Sequence, residues 1–229
     1  QLEAALARAP RVHPDTAAAT GLPAGLCGGY VGYFGYEARA AMGMEHGHPV
    51  PGYLPAYEAP TPDSLWLPAV RYLVHEHARP GAAARSWLVG DESWCEAAEQ
   101  LLSAAGKRAS EGTPVNAPEL AELLLFPAPA AEAYMDSVRA SQHEIYEGNS
   151  YEVCLTAQTN ARIQNPSPEL FFELYRRQRA HNAAPYAAYL RCGDFSVLSS
   201  SPERFLSVDT HRNAQTKPIK GTIARGATP

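Results

Sequence analysis

Positive charge is scarce in this chain. Nineteen Lys and Arg stand against 24 Asp and Glu, a formal charge of −5 with the histidines neutral. A nucleic-acid grip needs a dense basic face that displaces counterions from phosphates, so that class of partner is not expected. Cysteine is scarce too, with four in 229 residues, at positions 27, 95, 154 and 192. None forms a C-x-x-C pair, and their wide spacing does not build the framework that holds small secreted domains, so reduced thiols are expected. No apolar run approaches the roughly 18 residues of a membrane span, and no basic start leads into an apolar signal segment. A soluble, cytoplasmic chain without a membrane partner is the expectation. Nucleotide fingerprints are also missing. Gly29, Gly32 and Gly35 space as G-x-x-G-x-x-G, and Leu101 stands where a phosphate loop ending in Gly106-Lys107 needs glycine.

What is present is globular in character. With 45% hydrophobic and 19% charged residues the chain can bury a sizeable core, as one large domain or two small ones. Two β-rich runs, 69–75 and 85–89, flank Arg79-Pro-Gly-Ala-Ala-Ala and read as a hairpin with a loose loop. Asp91 reads as the N-cap of a helix through Trp94, Ala98, Leu101, Leu102 and Ala105, with Gly106 as its stop. The stretch 107–130 is rich in Pro, Ala, Glu and Gly, which places a seam there: residues 1–115 as an N-terminal subdomain, 116–130 as linker, 131–229 as a second region.

In that second region, Tyr134, Val138 and Ile145 recur at helical spacing up to a stop at Gly148. Tyr151 to Thr156 alternates like a half-buried strand. Ser167-Pro168-Glu169 starts a helix whose Leu170, Phe171, Leu174 and Tyr175 share a face. Gly193-Asp194 joins the strands 187–192 and 195–199 in a tight hairpin, and further strands are expected over 204–208 and 215–219. Helices followed by antiparallel strands make an α+β fold rather than a βαβ winding.

Several clusters invite a chemical reading. The glycine run 29–35 reads best as a twisted strand in which glycines admit close backbone approach and tyrosines pack. His46 with His48 and His75 with His77 are candidate zinc pairs, although each lacks a third ligand. Glu203 sits at a strand-ending turn in Ser201-Pro-Glu-Arg-Phe, and Lys220 lies between Ile219 and Gly221. A free lysine is neutral in only about one molecule in 2,500 at pH 7. Burial or a cationic neighbour such as Lys217 or Arg225 would raise the nucleophilic fraction, whereas a solvated strand-end lysine would stay inert.

These last segments resemble the chorismate-utilising enzymes. Ser201-Pro-Glu-Arg-Phe205 and Pro218-Ile-Lys-Gly-Thr222 are joined, in the family's order, by three more: Gly28-Gly-Tyr-Val-Gly-Tyr-Phe-Gly-Tyr-Glu37, Gly148-Asn-Ser-Tyr-Glu-Val-Cys-Leu-Thr156 and Asn182-Ala-Ala-Pro-Tyr186. The resemblance implies an antiparallel β-sandwich packed with helices, here incomplete at its C-terminal end. Lysine at position 220 resembles the aminodeoxychorismate synthase branch (P-I-K-G-T), whereas anthranilate synthases resemble P-I-A-G-T. The implied chemistry makes Lys220 a covalent nucleophile on ring carbon 2 of chorismate and Glu203 the acid/base. Gly221 and Thr222 would approach the substrate and Arg225 would oppose its charge. Ammonia would come from a glutamine amidotransferase, as a separate subunit or a fused domain, and the product would lead toward p-aminobenzoate and folate. A magnesium ion would anchor chorismate, through ligands beyond Pro229.

The resemblance also implies a tryptophan pocket that includes Pro185 and Tyr186. Departures from the family pattern fall at Asn149, Glu152 and Ala183. Gln1 and the Gly-Ala-Thr-Pro ending read as marks of a piece of a longer chain, and this stretch alone is expected to be inactive. Two other functions compete: anthranilate synthesis, and a noncatalytic tryptophan-sensing or amidotransferase-docking module in which Lys220 is an ordinary solvated amine.

Overall fold

Proline at a first helical position and glycine just past the end delimit the first helix, α1 (Pro14–Thr20). His13 caps it, with its ring Nδ1 accepting from the Asp15 N–H, and Gly21 closes it at φ 69° while donating to Ala17 and Ala18 carbonyls. A computed structural model of the chain describes residues 4, 7–35, 61–109, 124–126, 130–157, 159–164, 166–167 and 169–219, without the side chains of 24, 107–109 and 124–126. The chain folds as two compact units, 1–113 with 190–195 and 203–229, and 114–189 with 196–202.

In the first unit, β1 (Tyr30–Phe34) pairs antiparallel with β2 (Ser64–Pro68), setting Gly32 opposite Trp66. A Cβ at Gly32 would lie 1.9 Å from the Leu65 carbonyl oxygen, so only glycine fits this pairing. That agrees with the twisted-strand reading of the glycine run. The ring of Phe34 meets Trp66 at 4.9 Å.

The second hairpin is β3 (Tyr72–Glu76) with β4 (Arg85–Val89), in register from Tyr72–Val89 to Glu76–Arg85. Two side chains pin it to the chain before it: the Tyr72 hydroxyl donates to the Leu26 carbonyl at 2.8 Å and the Trp87 indole to the Thr20 carbonyl at 2.9 Å. Burial of the Tyr72 ring, and then the nearby Cys27, push its phenol above its usual pKa.

The helix that follows, α2 (Glu92–Ala109), begins where Asp91 predicts: Asp91 Oδ1 accepts from the Trp94 N–H and the Ser93 hydroxyl, and Oδ2 from Arg71. Gly106 does not end it. The helix runs three residues further, because a glycine inside a helix costs only about 1 kcal/mol and needs an outside reason to break.

In the second unit, α3 (Ala131–Tyr146) has no cap hydrogen bond at its start and stops before Gly148, which takes φ 77°. β5 (Leu124–Phe126) pairs with β6 (Asn160–Arg162). The strand expected at 151–156 is not formed. Alternation sorts side chains onto two faces, but a strand also needs a neighbouring strand, and none of the described strands pairs with these residues. α4 (Leu170–His181) begins two residues later than Pro168 suggests, after a turn in which the Leu170 N–H bonds the Ser167 carbonyl.

Leu170 is 1% exposed, worth about 1.5–3 kcal/mol of apolar burial. Phe171, expected beside it, is exposed, and Glu173 takes the buried position, paired with Arg176 and Arg177 at 3.3 and 3.1 Å. Phe172, Tyr175 and Tyr189 form an aromatic cluster over the same helix, with centroids 5.3–6.4 Å apart.

Last come β7 (Tyr186–Cys192) and β8 (Phe195–Ser201), joined as expected through Gly193 at φ 63°, and the short pair β9 (Ser207–Val208) and β10 (Ala214–Gln215). The described residues thus combine helices with five two-stranded sheets, and every pairing whose register is given is antiparallel. No helix among them is long and apolar enough to cross a membrane.

Candidate functional site

Pro202 has no N–H to give a ladder, so β8 ends at Ser201 and the next two residues, Glu203 and Arg204, turn their side chains to a different task. β9 and β10 pair Val208 with Ala214 and Ser207 with Gln215. The same register, carried toward the open end of this hairpin, sets Ile219 opposite Glu203 and Pro218 opposite Arg204. No strand forms over 216–219, where Pro218 cannot donate. The Glu203 carboxylate takes the place of a ladder carbonyl: its Oε2 accepts from the Ile219 N–H at 2.9 Å. Arg204 reaches the same segment nearer the hairpin's paired end, donating from Nη2 to Gln215 Oε1.

The closed end of the hairpin is held by another carboxylate. Asp209 Oδ1 accepts from the backbone of His211 and Asn213, both at 2.8 Å, and Oδ2 from the Asn213 side chain at 2.9 Å. The Asn213 side chain first, then its backbone, hold the Asp209 carboxyl below its ordinary range. Arg212 sits in this loop at φ 65°, in the left-handed region that favours glycine.

Of the residues singled out in sequence, Glu203 therefore stands half-buried against the segment that leads into Lys220. Lys220, Gly221, Thr222 and Arg225 lie outside the described residues, as do His46 and His48. Pro185 and Tyr186 stand exposed at the start of β7, Tyr186 at 44%. His75 on β3 and His77 just past its end are both exposed with rings 4.9 Å apart, and His75 Nδ1 is already engaged by the Ser86 hydroxyl at 2.8 Å. No three His, Cys, Asp or Glu side chains among the described residues converge to hold a metal. The described donors therefore do not make a magnesium site.

Sequence reasoning missed the Arg204–Gln215 pair and the Glu203–Ile219 bond. The signal that was available is the pairing of a proline-ended strand with a proline-interrupted one around an Asp-containing turn. Arg204 Nε is buried and has no hydrogen-bond partner among the described residues. Among the described residues, hollows also lie elsewhere. One of about 200 Å³ is bounded by Arg11, Cys27, Gly28 and Tyr72, and one of about 530 Å³ by Leu73, Leu88, Cys95, Glu99 and Leu102.

Chorismate binding enzymes match residues 1–229 as a family. The chain is 34% identical over 224 residues to the chloroplastic aminodeoxychorismate synthase of Arabidopsis thaliana, covering 91% of this chain and 22% of that protein. It is 36% identical over 214 residues to the aminodeoxychorismate synthase of Streptomyces griseus, covering 91% and 28%. The chloroplastic anthranilate synthase alpha subunit 2 of Arabidopsis thaliana is 29% identical over 230 residues, covering 91% and 35%. Among solved structures, anthranilate synthase component I from Streptococcus pneumoniae TIGR4 superimposes with a TM-score of 0.52 at 22% identity, covering 80% of this chain and 40% of that one, a likeness of fold. The chain spans about a quarter of the length of the aminodeoxychorismate synthases it matches. With the matched motifs in order along it, the chain belongs to the chorismate binding enzyme family.

Proposed function

We propose that the full-length enzyme, of which this chain is part, aminates chorismate to 4-amino-4-deoxychorismate with Lys220 as the covalent nucleophile. In this reading the Lys220 amine bonds to ring carbon 2 while both ring double bonds shift, C1=C2 to C1=C6 and C5=C6 to C4=C5, and the C4–O bond breaks. Glu203 protonates the departing hydroxyl, which leaves as water. Ammonia then bonds to carbon 4, both ring double bonds shift back, and the lysine amine is released from carbon 2. One ammonia enters and one water leaves for each chorismate. A glutamine amidotransferase supplies the ammonia, and the family's antiparallel β-sandwich and a cytoplasmic setting belong to the same reading. Magnesium is an expectation of the family resemblance; the described residues offer no ligand set for it, and no step above passes through it.

The observation that carries the reading is the grip of Glu203 on Ile219, the residue bonded directly to Lys220. It sets the proposed acid/base carboxylate against the residue that precedes Lys220 in the sequence. The test is product identity: full-length enzyme with chorismate, magnesium and ammonium, analysed by mass and by anthranilate fluorescence. Aminodeoxychorismate that falls by roughly a thousandfold or more in Lys220→Ala is the expected result. Fluorescent anthranilate from the unaltered enzyme would instead assign the anthranilate branch and make Lys220 a bystander.

A further inference from the structure

We propose that Arg204 is a positioning residue. Together with Glu203 it forms a two-point clamp on residues 215–219 that fixes how the chain is delivered to position 220. The clamp rests on the reading of Lys220 as nucleophile, and it adds a residue that the reading does not include. Three observations carry it. The backbone ladder of the last hairpin stops after two residue pairs, at Ser207–Gln215, so nothing in the sheet itself aligns 216–219. Two adjacent side chains in the segment leading into β9 then engage the segment that runs on from β10 at points four residues apart, Arg204 at Gln215 and Glu203 at Ile219. Finally, Pro218 stiffens the stretch between those points by locking its own φ, so a constraint at both ends is passed along it.

The physical logic is replacement of a ladder by side chains. A ladder fixes a strand through alternating N–H and C=O groups, but a proline breaks that alternation. Charge-assisted hydrogen bonds, accepted by a carboxylate or donated by a guanidinium, are shorter and roughly twice as strong as neutral ones, which suits them to the substitution. A covalent nucleophile has to reach its carbon in near-attack geometry, and a misplacement of about 1 Å can cost a hundredfold in rate. In the clamp, Arg204 acts through Gln215.

The experiment uses the full-length enzyme and the variants Arg204→Ala, Arg204→Lys, Gln215→Ala and the Arg204→Ala/Gln215→Ala double, each followed by chorismate turnover and by amide hydrogen exchange of the peptide spanning 214–219. The expected result is a kcat for Arg204→Ala lowered by about ten- to a hundredfold, with KM changed far less. Partial recovery is expected in Arg204→Lys, and the double variant should be no worse than the poorer single one. Exchange at 215–219 should rise in parallel.

Unchanged kcat with only a lowered melting temperature, strictly additive losses, or unchanged exchange would each overturn the clamp. A Lys220→Ala enzyme that still makes aminodeoxychorismate would overturn the clamp together with the functional reading. The two failures are distinguishable, because loss of product in Lys220→Ala beside normal turnover in Arg204→Ala sinks the clamp alone.

Discussion

The hairpins β3–β4 and β9–β10 are built on opposite plans. β3–β4 has five residue pairs in register, and its two pins, Tyr72 and Trp87, both seek backbone carbonyls far back in the chain. β9–β10 has two pairs, and carboxylates hold both of its ends: Asp209 inside the turn and Glu203 at the open side. A hairpin that serves only packing can spend its whole backbone on the ladder. The β9–β10 hairpin gives up the ladder beyond Gln215 and relies there on charged side chains. Placement then depends on a few specific atoms, which makes that region sensitive to single substitutions in a way the first hairpin is not.

The sharpest way to break the comparison is at Glu203, in the full-length enzyme. Glu203→Ala removes both the hydrogen-bond acceptor for Ile219 and the carboxyl proposed to carry the proton. Glu203→Gln keeps an oxygen for the Ile219 N–H and loses the proton chemistry. General acid–base catalysis contributes about 10²–10⁴-fold, so Glu203→Gln should lose turnover by about that factor while hydrogen exchange at Ile219 stays slow. Exchange should quicken only in Glu203→Ala; quickening in both would show that the bond to Ile219 needs the charge.

Next in size is Trp87→Phe in β4. It leaves the Thr20 carbonyl without its indole donor, and a loss of about 1 kcal/mol in unfolding free energy by denaturant titration is expected, with product formation by the full-length enzyme unaltered. A large activity loss there would erase the distinction between the two hairpins.

Arg212→Gly acts in the opposite sense. It relieves a left-handed backbone at φ 65° and should stabilise the 209–213 turn by up to about 1 kcal/mol, read as slower exchange of the Asn213 amide.

The smallest effect is a pH dependence at Asp91. The Ser93 hydroxyl, then the Trp94 N–H, then Arg71 lower its pKa from 3.8 to about 2. A lowered carboxyl stabilises the folded form above the unfolded pKa and loses that contribution as pH falls. Helicity of α2 and the melting temperature should therefore decline as pH drops from about 4 toward 2, and Asp91→Ala should remove that part of the decline; an identical acid profile in the variant would rule the cap out as its cause.

Much of the local structure was legible because its causes are local. Asp91 caps α2, Gly148 follows the end of α3 in the left-handed region, and Gly193-Asp194 turns β7 into β8; each is decided within about four residues. The misreadings share the opposite cause. Tyr151 to Thr156 has the alternation of a strand but pairs with none of the described strands, and Gly106 has the residue type of a stop, yet the helix runs on through it. On α4 the apolar spacing pointed to Phe171, yet the buried polar position went to Glu173, because two arginines one turn further on compensate its charge. At the candidate site the motif letters marked Glu203 and Lys220, but the spacing did not reveal that Glu203 would grip the residue before Lys220.

The amino-acid sequence by itself determined the caps, the turns, the family of the chain and the chemical character of its marked residues, since these depend on neighbouring side chains and on which atoms each residue carries. Tertiary structure decided which distant groups meet. Tyr72 finds Leu26 across 46 residues, Trp87 finds Thr20 across 67, Gly32 must be bare because Leu65 passes over it, and Glu203 meets Ile219 across 16. Such meetings are fixed by the register of one strand against another, and register is a property of two segments together.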